Sequence, residues 1–378
     1  MADPPPPTLN GYIPEDIVLE ILARLPVKSL LSLRRVCKSW NSIISSPYFI
    51  GTHLKYGPRR GYYLLYQTMV AQIHEPSCTV VCDRTYDRIS DFELPFVHAG
   101  IVGSSNGLLC VEPPYGYLSL WNPSIARFKV LPAPLPAPCL VGGYVSVTYG
   151  FTHVSEENDF KIVRISYNEF TTKLPRAQVY TLSSNSWRRI DDPIPLKPNA
   201  LIYNIGCNHL PCPCIAGALH WIVRSKGSED DGRDNKKILS FDLRDEKFGE
   251  IALPSSYMYH YDEWEYLGLF KGKLASFRFA DYRCGIWVMT DYGMAESWTL
   301  LRTVEFEPGV IDFLGCTDDS GAVMIARSLR EFCTVSFIET EEASHRERIL
   351  LDGLHHLVFA ATFVESLALL DGSESVRI

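Results

Sequence analysis

A chain of 378 residues that is 46% hydrophobic and 21% charged carries enough apolar material for a sizeable core, which excludes wholesale disorder and leaves room for two or three domains. Aromatic residues reach 12%, a lean toward β structure, and the net charge of −8 argues against a broad basic face for nucleic acid. The start Met-Ala-Asp-Pro lacks the basic and apolar regions of a secretory signal, and the apolar stretch Leu357 to Leu370 is interrupted by Glu365 and too short to span a bilayer. The 11 cysteines are scattered and odd in number, which reads as reduced, mostly buried thiols. The expectation is therefore a protein of the cytoplasm or nucleus, with no membrane and no nucleic-acid partner.

Residues 1–10 form a Pro-rich tail unable to join a packed core. Residues 12–46 are helical in pattern. Pro14 suits a first helical turn, and Glu15 and Asp16 place negative charge at the positive end of the helix dipole. Ile17, Val18, Ile21, Leu22 and Leu25 follow at helical spacing, and Pro26 ends that helix. A second helix is expected from about Ser29, with Leu30, Leu33, Val36, Cys37 and Trp40 continuing an apolar stripe. Ile43, Ile44, Tyr48 and Phe49 complete the segment. Some 40 residues lie near the size at which a domain needs outside help to be stable. At roughly 1.5–3 kcal/mol per large buried side chain, leaving several of these residues wet is costly. The segment therefore implies a partner surface, supplied by the rest of the chain or by another protein.

The segment IPEDIVLEILARLPVKSLLSLRRVCKSWNSIISSPYFIGTHL, Ile13 to Leu54, resembles the F-box of the large plant F-box families. Ile13 stands where Leu is usual, which keeps the apolar character. The resemblance implies docking on a small Skp-type adaptor and, through it, on cullin and RING subunits of a ubiquitin ligase. It also implies that Pro14, Ile17, Leu22, Leu25, Pro26, Leu30, Val36, Cys37 and Trp40 bury against that adaptor.

Beyond about residue 60 the texture changes to short apolar runs separated by turn residues. An apolar strand, a polar turn and an aromatic or basic strand recur from Leu118, Val179, Ile238, Ile286 and Thr334, at separations of 61, 59, 48 and 48 residues. Gly-led strands precede several units, at Gly107-Leu108, Gly217-Ala218, Gly272-Lys273 and Gly321-Ala322. A period near 50 residues with several strands suits propeller blades, and a β-sandwich is the competing arrangement. Strict kelch repeats want a Gly-Gly doublet in each blade, whereas Gly142-Gly143 stands alone. The fragments LWNPSIARFKVLP, YGFTHVSEENDFKIVRI, VYTLSSNSWRRI, GALHWI and ILSFDLRDEKFGEIALP resemble the F-box-associated domain, a kelch-like propeller taken to recruit substrate. The resulting fold class is α+β and multidomain: a disordered tail over 1–10, a small three-helix F-box over 11–55, and an all-β, propeller-like repeat domain over 56–378. Residues 1–50 carry a net charge of +1, so the remainder carries −9.

Chemical motifs are weak. Gly103-Ser104-Ser105-Asn106-Gly107 matches G-x-S-x-G, but a strand follows it where a nucleophile elbow needs a helix. Cys207, His209, Cys212 and Cys214 have the right types for zinc at poor spacing. Cys78 and Cys82 are too far apart on a strand for a local disulfide. His220 reads as a packed strand residue. Glu156-Glu157, Glu229-Asp230-Asp231, and Glu339, Glu341 and Glu342 with Arg346 and Arg348 read as solvated turns. No catalytic residue, metal or cofactor is implied. The leading expectation is the substrate-recognition subunit of an SCF-type ubiquitin ligase, with an unidentified protein target. The alternatives are an adaptor-bound scaffold without degradative role, and a propeller enzyme or small-ligand binder. The last needs a convergent polar pocket along the axis, for which no sequence constellation speaks.

Overall fold

The computed structural model describes residues 14–57, 63–70, 76–82, 85, 87–96, 99–113, 117–136, 145–167, 174–196, 201–203, 210–225, 235–254, 264–280, 282–305, 310–316, 323–328, 332–338, 345–352, 355–368 and 374–375. The Pro-rich tail, Ile13, Gly142-Gly143, Cys207, His209, Glu229-Asp230-Asp231, Gly321-Ala322 and Glu339 to Glu342 lie outside the described residues.

The helical segment holds four helices, where the sequence pattern implied three. Helix α1 (Glu15–Ala23) starts after Pro14, with Glu15 and Asp16 in its first turn. Pro26, extended at φ −60° and ψ 151°, stops it and caps α2 (Val27–Leu33). A proline costs little at a helix start, because the amide proton it lacks has no helical partner there. The stripe from Leu30 to Trp40 is not one helix. The chain turns at Arg34 to Val36, and Cys37 is fully extended at φ −156° and ψ 163°. Its sulfur accepts the Trp40 N–H at 3.5 Å, which starts α3 (Lys38–Ile44). Ser46 caps α4 (Pro47–Tyr56) by accepting the Phe49 N–H at 3.1 Å, and Pro47 occupies the first turn. A cysteine sulfur is a poor cap by residue type, so the break at Cys37 had no strong signal in the sequence.

From Tyr63 onward the described chain is β, and its strands form six antiparallel sheets. Each sheet is a propeller blade, numbered here by the order of its first local strand. The second blade runs Gly100–Ser105, Leu108–Glu112, Ser119–Asn122 and Arg127–Val130. The third runs Ser146–Val154, Asp159–Tyr167, Arg176–Thr181 and Ser186–Arg189. In the fourth, the short strands Leu201–Tyr203 and Cys214–Ile215 both pair with Ala218–Ser225, and Asn235–Asp242 and Phe248–Ala252 follow. The fifth runs from Trp264–Phe270 to Trp298–Glu305, and the sixth from Val310–Cys316 to His345–Asp352. Every repeat start read from the sequence falls in or beside the third strand of blades two to six.

The first blade is composite. Tyr63–Val70, Pro76–Cys82 and Arg88–Glu93 are joined by His355–Phe363, which pairs with Tyr63–Val70 from Tyr63↔Phe363 to Val70↔His355. That strand also lies against the inner strands of the second and sixth blades, closing the ring. Radial closure leaves each sheet with only a short inner edge, protected around the axis. Apolar clusters fill the spaces between blades one and two, two and three, three and four, four and five, and five and six. Three of the glycines seen in the sequence, Gly107, Gly217 and Gly272, occupy tight turns between first and second strands. Asn106-Gly107, Ala216-Gly217 and Lys271-Gly272 all have positive φ at both positions, the conformation whose twist matches a two-residue hairpin.

Past Phe363 the chain crosses to the second blade. The buried amide of Asn122 donates to the carbonyl of Ser366 (3.0 Å), the hydroxyl of Ser366 (3.1 Å) and the carbonyl of Ala368 (2.8 Å). Its oxygen accepts the Ser124 N–H at 3.0 Å. A Cβ on Gly107 would lie 2.5 Å from the Ser366 hydroxyl, so a glycine is needed for this approach as well as for the turn. Glu374–Ser375 then adds a fifth strand beside Arg127–Val130. Asn122→Ala strands these buried acceptors and is expected to lower the unfolding free energy by about 2–3 kcal/mol in urea titrations. Asn122→Asp, which has no proton to donate at pH 7, is expected to cost more than Asn122→Ala.

Candidate functional site

The helical segment divides its apolar side chains into two sets. Leu22, Ala23, Val27, Leu30, Ile44 and Phe49 form a buried cluster that includes Leu367 from the C-terminal crossing, with Ile125 of the second blade packed alongside. The other set faces solvent: Ile17 is 45% exposed, Ile21 51%, Val36 64% and Tyr48 74%. Of the nine residues expected to meet a partner, Pro14, Ile17, Val36 and Cys37 are exposed, and Leu25, Pro26 and Trp40 are half-buried. Leu22 and Leu30 are 2% and 0% exposed, buried within the helical segment's own cluster. Ile21 and Tyr48, outside those nine, are also exposed. Ile21 sits one helical turn after Ile17, on the same face of α1, which the spacing could have shown. Nothing local separates exposed Tyr48 from buried Phe49.

The helical segment covers the end of the propeller where first strands turn into second strands. Gly51 of α4 abuts Asn158 in the third blade's turn, where a Cβ would lie 2.7 Å from the Asn158 amide. Between the two parts lies a cavity of about 470 Å³ on the propeller axis. Pro26, Val27, His53 and Leu54 bound it on the helical side. The propeller side is built from the inner strands, including Ser104, Thr152, Leu269, Gly315 and Thr362. His53 is buried and places Nε2 2.9 Å from the Leu25 carbonyl, tying α4 to the turn between α1 and α2. Burial holds its pKa below the ordinary histidine value.

The chemical motifs resolve into structure. Asn106 and Gly107 make a hairpin turn between two strands, and the Ser105 hydroxyl accepts the His153 N–H at 2.9 Å. The strand-to-helix elbow of a hydrolase is therefore absent at this position. The Cys212 thiol donates to the His220 carbonyl at 3.2 Å, and burial pushes its pKa well up, the opposite of a metal-ready thiolate. Among the described residues no group of three or more His, Cys, Asp and Glu is placed to hold a metal. Cys78 and Cys82 form no disulfide with each other. His220 is 1% exposed, with Nδ1 3.3 Å from the Pro213 carbonyl and Nε2 2.9 Å from the Tyr292 hydroxyl. Glu157 pairs with buried Lys161 at 2.6 Å.

The F-box domain family matches residues 12–50, and the family described as F-box associated beta propeller domain matches residues 62–352. F-box protein CPR1 of Arabidopsis thaliana is 29% identical over 324 residues, covering 80% of this chain and 75% of that protein. F-box protein At5g49610 of the same plant is 25% identical over 307 residues, covering 78% and 79%. The chain is a plant F-box protein with an F-box-associated propeller. Among solved structures, TolB from Acinetobacter baumannii aligns with a TM-score of 0.44 at 10% identity, over 79% of this chain and 67% of that one.

The F-box is thus held to its propeller by one face and left open on others. Two measurements separate these roles. Leu30→Ala is expected to cost about 2–5 kcal/mol of unfolding free energy, whereas Ile21→Ala stays within about 0.5 kcal/mol. Histidine burial in the propeller adds a pH dependence. His220 is held neutral by burial, with its pKa lowered to about 4. Unfolded, it binds a proton below about pH 6.5, so its contribution is present above that value and lost as pH falls toward 4. Between pH 7 and pH 5 this amounts to roughly 2 kcal/mol, and the drop in urea midpoint is expected to shrink in His220→Gln.

Proposed function

We propose that this F-box protein is the substrate-recognition subunit of an SCF-type ubiquitin ligase. The F-box binds a Skp-type adaptor and, through it, the cullin and RING subunits. The propeller holds a target protein so that the target's lysines lie near a ubiquitin-charged enzyme. The gain is proximity: a bimolecular encounter becomes a step within one assembly. The chain itself supplies recognition and no bond chemistry, and it works in the cytoplasm or nucleus.

The observation that carries this reading is the surplus of apolar surface on the F-box. Its inner set is satisfied by Leu367 and Ile125, yet Ile17, Ile21, Val36 and Tyr48 stay in water. Exposed large apolar side chains grouped on one small element mark a partner surface. The F-box covers one end of the propeller. The other end, where second strands finish and third strands begin, is left for a target. Turns on a rigid scaffold are the usual carriers of recognition. The net charge of −9 in residues 51–378 favours a target with a basic patch, bound in a salt-sensitive way.

A double variant, Ile21→Asp with Val36→Asp, puts two charges into that surface without touching the buried cluster. Co-purification of the adaptor is expected to fall by more than about tenfold, because an unpaired charge is costly to desolvate. The thermal midpoint of the chain is expected to hold. Undiminished adaptor binding would rule out this surface and the function built on it. Proteins that associate with the wild type more strongly when cullin activity is inhibited are the expected targets.

A further inference from the structure

We propose that the axial cavity between the F-box and the propeller is a binding site for a small, uncharged molecule with an apolar body and a hydrogen-bond donor. This goes beyond the recognition of a protein target and does not rest on it.

Size comes first. A volume of about 470 Å³ lies within the usual range for small-molecule sites and is far more than a stray packing defect. Interiors of this density do not keep such space without a cost in lost contacts. The lining then sets the class of ligand. Leu267, Leu269, Leu314, Met324 and Phe151 give an apolar wall, while Ser104, Thr152 and Thr362 supply hydroxyls. Among the described lining residues Glu365 is the one with a formal charge. An ion placed here would lose its water and gain almost no counter-charge, so the site favours a neutral molecule.

The backbone around the cavity is also shaped for close approach. In the sixth blade, the register shifts between Phe313 and Gly315, and Gly315 has φ 105°. A side chain there would be strained, and its Cβ would lie 3.2 Å from Leu210. In the fourth blade, the inner strand is broken into two short pieces, and residues 210–214 form part of the wall. Two inner strands, those of the fourth and sixth blades, therefore depart from regular form where they meet the cavity. Bulges and strand glycines mark places where something else comes close to the backbone.

The wall also accepts hydrogen bonds. The hydroxyls of Ser104, Thr152 and Thr362 can each accept from an N–H or O–H on a bound molecule. His53 lines the cavity from the F-box side, with its Nε2 proton committed to a carbonyl oxygen at 2.9 Å. Because His53 belongs to the F-box and most of the wall to the propeller, an occupant would bridge the two and stiffen their joint.

The test uses N-phenyl-1-naphthylamine, an uncharged aromatic amine with one N–H donor that fluoresces in apolar surroundings. Its comparison is 8-anilinonaphthalene-1-sulfonate, the same skeleton with a negative charge. With the full chain, the neutral probe is expected to give a saturable signal at one site per molecule. The sulfonate is expected to bind at least about tenfold more weakly. Leu269→Trp fills the cavity from a half-buried position and is expected to abolish neutral-probe binding without lowering the thermal midpoint. Leu300→Trp, at an exposed site on the fifth blade's outer strand, is expected to leave probe binding unchanged. No saturable signal, an equal signal in Leu269→Trp, or equal affinity for the sulfonate would each overturn the proposal. Adaptor co-purification, measured on the same samples, separates failure of the receptor reading from failure of this one.

Discussion

The side chain of Asn122 ties the second blade to the C-terminal crossing. Its two amide protons are shared among three acceptors on Ser366 and Ala368, and its oxygen takes the Ser124 N–H. A propeller has no covalent bond around its ring, so its first and last blades must be fastened by other means. Here the pairing of His355–Phe363 with Tyr63–Val70 makes the seam, and Asn122 fixes the chain immediately beyond it. The interaction is fully buried, where a hydrogen bond is stronger and a missing one is more costly.

The same fastening orients the F-box. Leu367 lies between two residues held by Asn122, and it is 0% exposed within the helical cluster. Ile125 follows Asn122 by three residues, at the end of the 3-10 turn Pro123–Ile125, and packs on the same cluster. The Asn-Pro-Ser-Ile run therefore does three jobs through adjacent residues. It ends the third strand of a blade, it captures the C-terminal crossing, and it offers an apolar contact to the F-box. A joint built this way sets the distance between the exposed face of the F-box and the far end of the propeller.

Two kinds of apolar residue on the F-box then acquire different meanings. Leu30 and Phe49 stabilise this chain, because water is excluded from them in the chain alone. Ile21 and Val36 bury little area while they remain wet, so they contribute little to the stability of the chain alone. The axial cavity belongs to neither set. It lies between the propeller's inner strands and the helical segment, lined by polar and apolar groups.

Local chemistry made much of this legible from the sequence. Pro14, Pro26 and Pro47 mark helix starts because proline lacks the proton those positions do not use. The x-Gly turns at Gly107, Gly217 and Gly272 show where first and second strands meet, because few other residues adopt their φ cheaply. The strand and turn frame of blades two to six repeats for the same reason. Tertiary structure alone decided the rest. The first blade hid from any search for repeats because its inner strand comes from residues some 300 positions away in sequence. Whether Leu30 or Ile21 is spare depends on Leu367 and Ile125, which no helical pattern contains. The cavity is lined by one to three residues from each of several inner strands, so it leaves no motif. Sequence spacing reports contacts a few residues apart; closing the ring creates contacts between its ends, and those decide which surfaces remain to meet something else.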